Sequence, residues 1–389
     1  MKSAFEFIFW FSIVALGYTF LGYRVVIGLL AKLRPAPAPG PGASYRPDIC
    51  AVVVAYNEEM RIVTRVENLL ASDYPVEKLR VLIISDGSTD GTVARLQNLA
   101  NPRVEVLALP SRQGKAAGLN AAMEKISAEL VVLTDARQEF TAETIALLSR
   151  HFADPKIGAV SGSLEIRSAQ SNTGQGIDAY WKLEKAIRAA EARWDSCIGC
   201  TGAVYAIRRA CYVPIPEDTV LDDVVIPMQI ALQGRRVLHD PAAIAIDPQP
   251  LEPAAERLRK RRTLAGNFQM LFRYPRWLLP WHSRLWWQLI SHKYLRLVAP
   301  LWLLLAFVAN GFLVASLFYR ILWIGHNALY TCALLGIFCP RLTGRLFSFP
   351  AGFVFLNFTT LNAFLQYLRS PDLHRWQAAK PASDSVGSV

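Results

Sequence analysis

Apolar positions along this chain fall into long runs at its two ends and short runs in its middle. Phe7 to Leu30 is apolar apart from a few hydroxyls and Arg24. As a helix rising 1.5 Å per residue it is long enough to cross a hydrocarbon layer of roughly 30 Å. Three more apolar stretches, Leu297 to Phe318, Leu322 to Cys339 and Leu346 to Leu368, follow near the other end, punctuated by Arg320, Arg341 and Arg345. The first of these is the most complete span. The last carries Asn357, Thr359, Thr360, Asn362 and Gln366, so it either lines a polar path, packs on protein or lies partly in the interface. In the middle, the short runs Ile49 to Val54, Val81 to Ile84, Val104 to Leu107 and Leu130 to Leu133 alternate with helical patterns over Glu59 to Ala71, Thr89 to Leu99, Ala116 to Ile126 and Ala142 to His151. Continuous apolar strands separated by amphipathic helices predict βαβ units and a mostly parallel sheet, an α/β domain with transmembrane helices at both ends.

Charge orients these segments. Arg24, off-centre within the first apolar run and able to snorkel toward the side of Lys32 and Arg34 that follow it, joins them in placing the α/β domain in the cytoplasm by the positive-inside rule. A cleaved signal peptide is the rival for that run, since Lys2 precedes it and small residues stand near Ala36 and Ala38. The run is long for such a peptide, and Pro35, Pro37, Pro39 and Pro41 spoil a cleavage site. If all three later stretches cross, the tail with Arg369, His374, Arg375 and Lys380 ends outside, against the same rule. Three or four segments therefore cross. The expected organisation is a transmembrane helix over 1–34, a Pro/Gly-rich linker over 35–47, a catalytic domain over 48–250, basic and interfacial helices over 251–293, membrane segments over 294–370 and a tail over 371–389. Composition agrees: 52% hydrophobic and 19% charged residues exclude a disordered or fibrous chain and disfavour an ordinary soluble enzyme. The net charge of +11 raises nucleic acid as a partner, but no recognition helix or RNA-binding motif accompanies it. Five of the positive charges lie together in Arg257 to Arg262, beside the membrane segments.

In an open parallel sheet, ligands sit at the carboxyl ends of the strands. Four consecutive strand ends here carry polar loops: Ala55-Tyr56-Asn57-Glu58-Glu59, Ser85-Asp86-Gly87-Ser88-Thr89-Asp90-Gly91, Arg112-Gln113-Gly114-Lys115 and Thr134-Asp135-Ala136-Arg137-Gln138. Any one of them reads as turn chemistry or helix capping, with Thr89 or Asp90 as a cap. All four together favour a polar-ligand site. Further on, Glu217 to Asp223 holds four carboxylates within seven positions in an otherwise apolar segment, a pattern that asks for a reason beyond solubility. Cys197 and Cys200 form a single C-x-x-C with no second pair to complete a zinc site, so they read as buried structural thiols.

The ordered set V-V-A-Y-N-E-E, S-D-G-S-T-D-G-T, G-K-A-A-G-L-N and L-T-D-A-R resembles the family 2 glycosyltransferases with a nucleotide-diphospho-sugar-binding GT-A domain, above all membrane-embedded bacterial polysaccharide synthases related to cellulose, chitin and hyaluronan synthases. The likeness spans roughly Asp48 to Pro300. It implies that Ala55, Tyr56, Glu58 and Asp86 hold the base and ribose of a nucleotide, usually uridine, and that Lys115 places a donor near base or phosphate. Asp135 matches the first Asp of the family's D-x-D element, which helps hold Mg²⁺ or Mn²⁺ on the diphosphate. Arg137 stands where the second Asp is expected, so it either contacts phosphate or leaves the metal to Asp135, diphosphate and water. Gly199 to Arg208, with Thr201 and Gly202, matches the acceptor-side segment. Asp223, with Asp222 beside it, matches the catalytic base that deprotonates the acceptor hydroxyl. Arg259 and Arg262 fit the basic positions of the Q/R-x-x-R-W element, with Thr263 in place of Trp, or else meet anionic lipid headgroups. Arg276 to Ser291, with four Trp, reads as an interfacial helix.

The function so implied is inverting transfer from a UDP-sugar to a growing glycan or lipid-linked acceptor at the cytoplasmic face of the inner membrane, in contact with membrane lipids. Export subunits are left open. The alternatives are transfer of a single sugar to a polyprenyl phosphate and a non-catalytic nucleotide-binding subunit.

Overall fold

The computed structural model describes residues 2–35, 45–166, 174–248, 253–339 and 344–369. Most of the linker 35–47 and the tail 371–389 lie outside the described residues. The chain packs as two compact units, Gly28–Leu258 and Met1–Ile27 with Arg259–Pro371.

The first unit is built on one eight-stranded sheet. Its strands are β1 (Ile49–Ala55), β2 (Leu79–Ser85), β3 (Val104–Ala108), β4 (Leu130–Thr134), β5 (Glu139–Phe140), β6 (Ile157–Ile166), β7 (Tyr205–Arg208) and β8 (Arg236–Asp247). They lie in the order β3-β2-β1-β4-β7-β6-β8-β5. β1 pairs in parallel with β2 and β4, β2 with β3, and β6 with β8. β7 runs antiparallel to both β4 and β6, and β5 antiparallel to β8. The four predicted strands are those of the parallel half. Both faces of β1 and β4 are covered, so Val52, Val53, Val131 and Val132 are buried together and the strands read as unbroken apolar runs. The helices Ile62–Leu70 and Lys115–Lys125 supply that cover through Ile62, Val66, Leu69, Leu119 and Ala122.

The remaining strands escaped the hydrophobic pattern. β6 and β8 are ten and twelve residues long and carry register shifts between Ile157 and Ala159 and between Ser161 and Ser163. Gly162 sits at the second shift because a Cβ there would meet the Ala243 carbonyl oxygen at 2.4 Å. Bulges of this kind break the two-residue period that marks a strand in sequence.

Among the described residues, four helices are long and apolar enough to cross a membrane: Lys2–Lys32, Trp286–Phe312, Leu317–Phe338 and Leu346–Arg369. The second begins eleven positions before the predicted Leu297 and ends at Phe312, where the chain turns and restarts at Leu317. Phe9 clusters with Ala306, Ala309, Leu313 and Tyr319, the two alanines being small residues that admit close approach as in other membrane helix pairs. The polar positions of the last helix look inward to their own backbone. Asn357, Thr359 and Thr360 donate to the carbonyls of Phe353, Phe355 and Leu356 at 2.9, 2.7 and 3.1 Å. Those three donors are thus satisfied within the helix, whereas the Gln366 side-chain oxygen is buried without a hydrogen-bond partner.

The expected interfacial helix Arg276–Ser291 is not one helix. A short turn over Pro275–Leu278 is followed by an irregular stretch, and the helix that starts at Trp286 continues into the membrane span. Trp277 is buried, stacked flat on Tyr274 with ring centroids 4.1 Å apart, whereas Trp281 is 81% exposed. Pro275 and Pro280 interrupt the helical backbone there, and the Trp residues divide between packing and exposure. Cys50, Cys197, Cys200 and Cys211 are buried, and burial pushes the Cys197 and Cys200 thiols well up. Among the described residues no three His, Cys, Asp or Glu side chains gather into a metal set.

Candidate active site

The loops after β1 and β2 knit to each other before they offer anything to a ligand. Asn57, in the left-handed region at φ 54°, accepts the Thr89 N–H on its side-chain oxygen at 2.8 Å, and its own N–H donates to Ser88 Oγ at 3.2 Å. Glu59 accepts the Gly91 N–H at 2.8 Å, and Asp90 accepts the Glu59 N–H at 3.2 Å. Asp90 also takes the Thr92 N–H at 3.0 Å, from one residue before the N-cap Gly91 of the helix Thr92–Asn98, which has no side-chain cap bond, so neither Thr89 nor Asp90 is the N-cap residue.

Asp86, 4% exposed at the end of β2, turns its carboxylate to the third loop. It accepts the N–H groups of Gln113 at 2.7 Å and of Gly114 at 3.0 and 3.1 Å, while its own N–H donates to the Ala55 carbonyl at 2.8 Å. Gly87 has φ +65°, and a Cβ on it would stand 2.5 Å from Arg112 N, so only glycine lets the two loops close. The closure lays the Arg112 guanidinium over the Tyr56 ring at 3.9 Å. Arg112 Nε and Nη2 are buried without a hydrogen-bond partner.

The same closure sets Lys115 as the first residue of the helix Lys115–Lys125. Its ammonium lies 2.8 Å from Asp135 Oδ1, just past β4, and 3.3 Å from Asp222 Oδ2, at the start of the helix Asp222–Leu232. Burial alone would lower its pKa, but Asp135 and Asp222 reverse that and hold the ammonium above its ordinary value. The two carboxylates differ in access: the Asp135 side chain is 41% exposed and that of Asp222 is 9% exposed, with Tyr205 Oη donating to it at a long 3.5 Å. Glu58 faces the same cluster, and burial, opposed by Arg61 and reinforced by Asp135, raises its pKa.

Asp223 adjoins the acceptor-side segment. A Cβ on Gly202 would stand 3.2 Å from Asp223 Oδ2, and the Asp223 carbonyl accepts the Cys200 N–H at 2.7 Å. Thr201 is held on three sides: its N–H donates to Ser161 Oγ at 2.9 Å, its hydroxyl donates to the Gly162 carbonyl at 2.9 Å, and it accepts from Arg188 Nη1 at 2.7 Å. Arg137 turns to Asp247 at the end of β8, with Nη2 2.7 Å and Nε 2.9 Å from Oδ1. Arg259 and Arg262 lie one turn apart on the helix Pro253–Arg273, in the other unit.

Two arginines, one partly and one fully buried, gave no sequence signal. Arg188 is the first. Arg65, 2% exposed, donates to Thr134 Oγ1 at 2.7 Å and stacks on Phe140, and Thr134 Oγ1 donates to the Ala203 carbonyl at 2.6 Å. Burial pushes Arg65 down to about 9, so it stays charged at neutral pH. It thereby ties the strand end before Asp135 to the segment after Gly202.

An α/β sheet in this order, with polar loops gathered at the carboxyl ends of β1, β2 and β4, defines a GT-A nucleotide-diphospho-sugar transferase domain. Residues 50–212 match the family model described as Glycosyl transferase family 2, so the chain carries a glycosyltransferase family 2 domain. An N-acetylglucosaminyltransferase of Rhizobium sp. (strain N33) is 30% identical over 201 residues, 50% of this chain and 44% of that protein. A poly-beta-1,6-N-acetyl-D-glucosamine synthase of Staphylococcus aureus (strain COL) is 27% identical over 203 residues, 50% of this chain and 48% of that one. The chain thus spans under half the length of either relative. Among solved structures, the mannosyltransferase PcManGT from Pyrobaculum calidifontis, in complex with GDP-Man and Mn2+, superposes with a TM-score of 0.70 at 24% identity, covering 95% of this chain and 99% of that one. At that identity the likeness speaks for the fold.

The Asp86 bridge carries a prediction. Asp86→Ala leaves two buried N–H groups without their acceptor and lowers stability by about 1–3 kcal/mol, whereas Asp86→Asn, keeping one carbonyl oxygen, costs less. Thermal melts of the purified protein check this; equal midpoints for Asp86→Ala and wild type would contradict the bridge.

Proposed function

We propose that this protein is an inverting glycosyltransferase that moves a sugar from a uridine diphosphate donor to a hydroxyl of a glycan or lipid-linked acceptor. The observation that carries the reading is the Lys115 ammonium held between Asp135 and Asp222. One cation ties the carboxylate assigned to the donor side to the carboxylate pair assigned to the acceptor side, so both halves of a transfer meet within one cluster of charges.

On this reading Tyr56, with Arg112 over its ring, and the Asp86-braced loop receive the nucleotide, and Lys115 stands where a diphosphate arrives. Asp223, against the glycine backbone of Gly202, takes the proton of the acceptor hydroxyl as that oxygen attacks the anomeric carbon. The diphosphate leaves from the opposite face, and a single displacement inverts the anomeric configuration. Arg259 and Arg262 serve either the pyrophosphate or anionic headgroups.

A divalent cation fits the donor side. The chain offers one well-exposed carboxylate there, Asp135, since Arg137 spends its fork on Asp247. Mg²⁺ is commonly bound through one or two carboxylates plus substrate phosphates, a set that Asp135 and the diphosphate complete. When bound, the ion neutralises charge on the leaving diphosphate. PcManGT, of the same fold, was solved with Mn2+.

The donor's sugar is proposed as N-acetylglucosamine, because both relatives above are named for it. Arg24 within the first span, Lys32 at its end and Arg34 just after it support a catalytic unit at the cytoplasmic face of the inner membrane by the positive-inside rule. Transfer of one sugar to a polyprenyl phosphate is the competing acceptor chemistry; it gives a single adduct where a synthase gives a ladder.

Membranes containing the full chain, offered UDP-N-acetylglucosamine, other UDP-sugars and GDP-mannose, release UDP from a UDP-sugar if the reading holds. Release of GDP alone would contradict it. Asp223→Asn abolishes turnover, by at least about a hundredfold, while nucleotide affinity stays near wild type; undiminished turnover would remove Asp223 as the base. Chelation by EDTA is expected to cut turnover more than about tenfold, with Mg²⁺ or Mn²⁺ restoring it. Full activity in chelator would leave the leaving-group charge to Lys115 and the arginines.

A further inference from the structure

Lys115, Cys200, Tyr205 and Arg188 are among the groups that feel the Asp223 charge, and Asp222 is its chain neighbour. Burial pushes the Cys200 thiol and the Tyr205 phenol up, so neither is charged near neutral pH. Lys115 is shared between Asp135 and Asp222. Arg188 is a cation on the acceptor side that reaches the Gly202 segment directly, through its hydrogen bond to Thr201.

Arg188 lies on the helix Gly174–Trp194 with its side chain 16% exposed. Nη1 donates to Thr201 Oγ1 at 2.7 Å, and its Nε stands 3.5 Å from Glu184 Oε1. His239 beside it is driven down to about 4, by burial first and the Arg188 charge second, and is neutral at pH 7. The gap bounded by Arg188, Lys185, Thr201, Glu184, Ser163 and His239 is about 10 Å³, room for about one water. Glu184 is the foremost of the groups that favour the Arg188 charge, followed by Cys197 and Asp223.

We propose that Arg188 is a positioning residue for the acceptor chemistry: through Thr201 it holds the Gly202 backbone against Asp223, and its partly buried charge favours that carboxylate in its ionised form, ready to accept a proton. This rests on the reading of Asp223 as the base. The sign follows directly. A neighbouring cation favours the carboxylate over the carboxylic acid, so removing it raises the pH below which turnover is lost. Glu184 offsets part of the cation, so neutralising Glu184 moves the same limb the other way.

The test is the pH dependence of kcat, by nucleoside diphosphate release, for the full chain in lipid nanodiscs supplied with the UDP-sugar that supports turnover. Arg188→Met is expected to move the acid limb up by about half to one pH unit, and Arg188→Lys to leave it near wild type. Glu184→Gln, nearly isosteric, is expected to move it down by a few tenths of a unit and carries the test alone if Arg188→Met does not fold. An unmoved limb in both Arg188→Met and Glu184→Gln, with Asp223→Asn inactive, would overturn the role of Arg188 and leave the base assignment standing. Turnover by Asp223→Asn with the wild-type limb would overturn the base assignment and this proposal with it.

Discussion

The ion-pair cluster of Lys115 with Asp135 and Asp222 is the constraint on which the site depends, with separations of 2.8 and 3.3 Å. Asp135 follows β4, Asp222 opens a helix after β7, and Lys115 opens a helix after β3. Three chain segments so distant in sequence meet because β1 pairs with β2 on one side and β4 on the other, where the direction of strand order reverses. A buried ammonium without counter-charges would lose its proton or open the fold. The two carboxylates stabilise it, and in turn it allows carboxylates to stand near each other.

Around the cluster, polar groups divide into those that brace and those that face outward. Asn57, Glu59, Ser88 and Asp90 spend their hydrogen bonds between loops, and Asp86 spends its carboxylate on the Gln113–Gly114 backbone. Bracing of this kind fixes the backbone that presents Tyr56, Arg112 and Lys115, which is what a site must supply before binding energy can be used on the reaction. The buried chain Arg65, Thr134 and Ala203 performs the same service beneath Asp135.

Much of the parallel half of the sheet was legible because covering both faces of β1 and β4 demands uninterrupted apolar residues, a pattern visible in Ile49 to Val54 and Leu130 to Leu133. β6 and β8 were hidden by their bulges, by Gly162 and by Pro241 inside β8. The polar loops were visible as a set, yet sequence gave no means of sorting bracing residues from ligand-facing ones, since both use Asn, Asp and Glu. Arg137 illustrates the limit: its partner, Asp247, is 110 positions away. Arg65 and Arg188 were silent for the same reason, as each has its defining hydrogen bond on a threonine that only folding brings near. In the membrane unit the apolar lengths were legible, but the backbone bonds of Asn357, Thr359 and Thr360 needed the helix itself.

The central claim is that donor and acceptor chemistry converge on Lys115. A structure of the full chain with UDP and Mn²⁺ tests it most directly. The account places the uracil at Tyr56 and Arg112 and the diphosphate within hydrogen-bond reach of Lys115 or, through the cation, of Asp135. A nucleotide bound elsewhere, with the Lys115 cluster unaltered and no phosphate near it, would contradict the account.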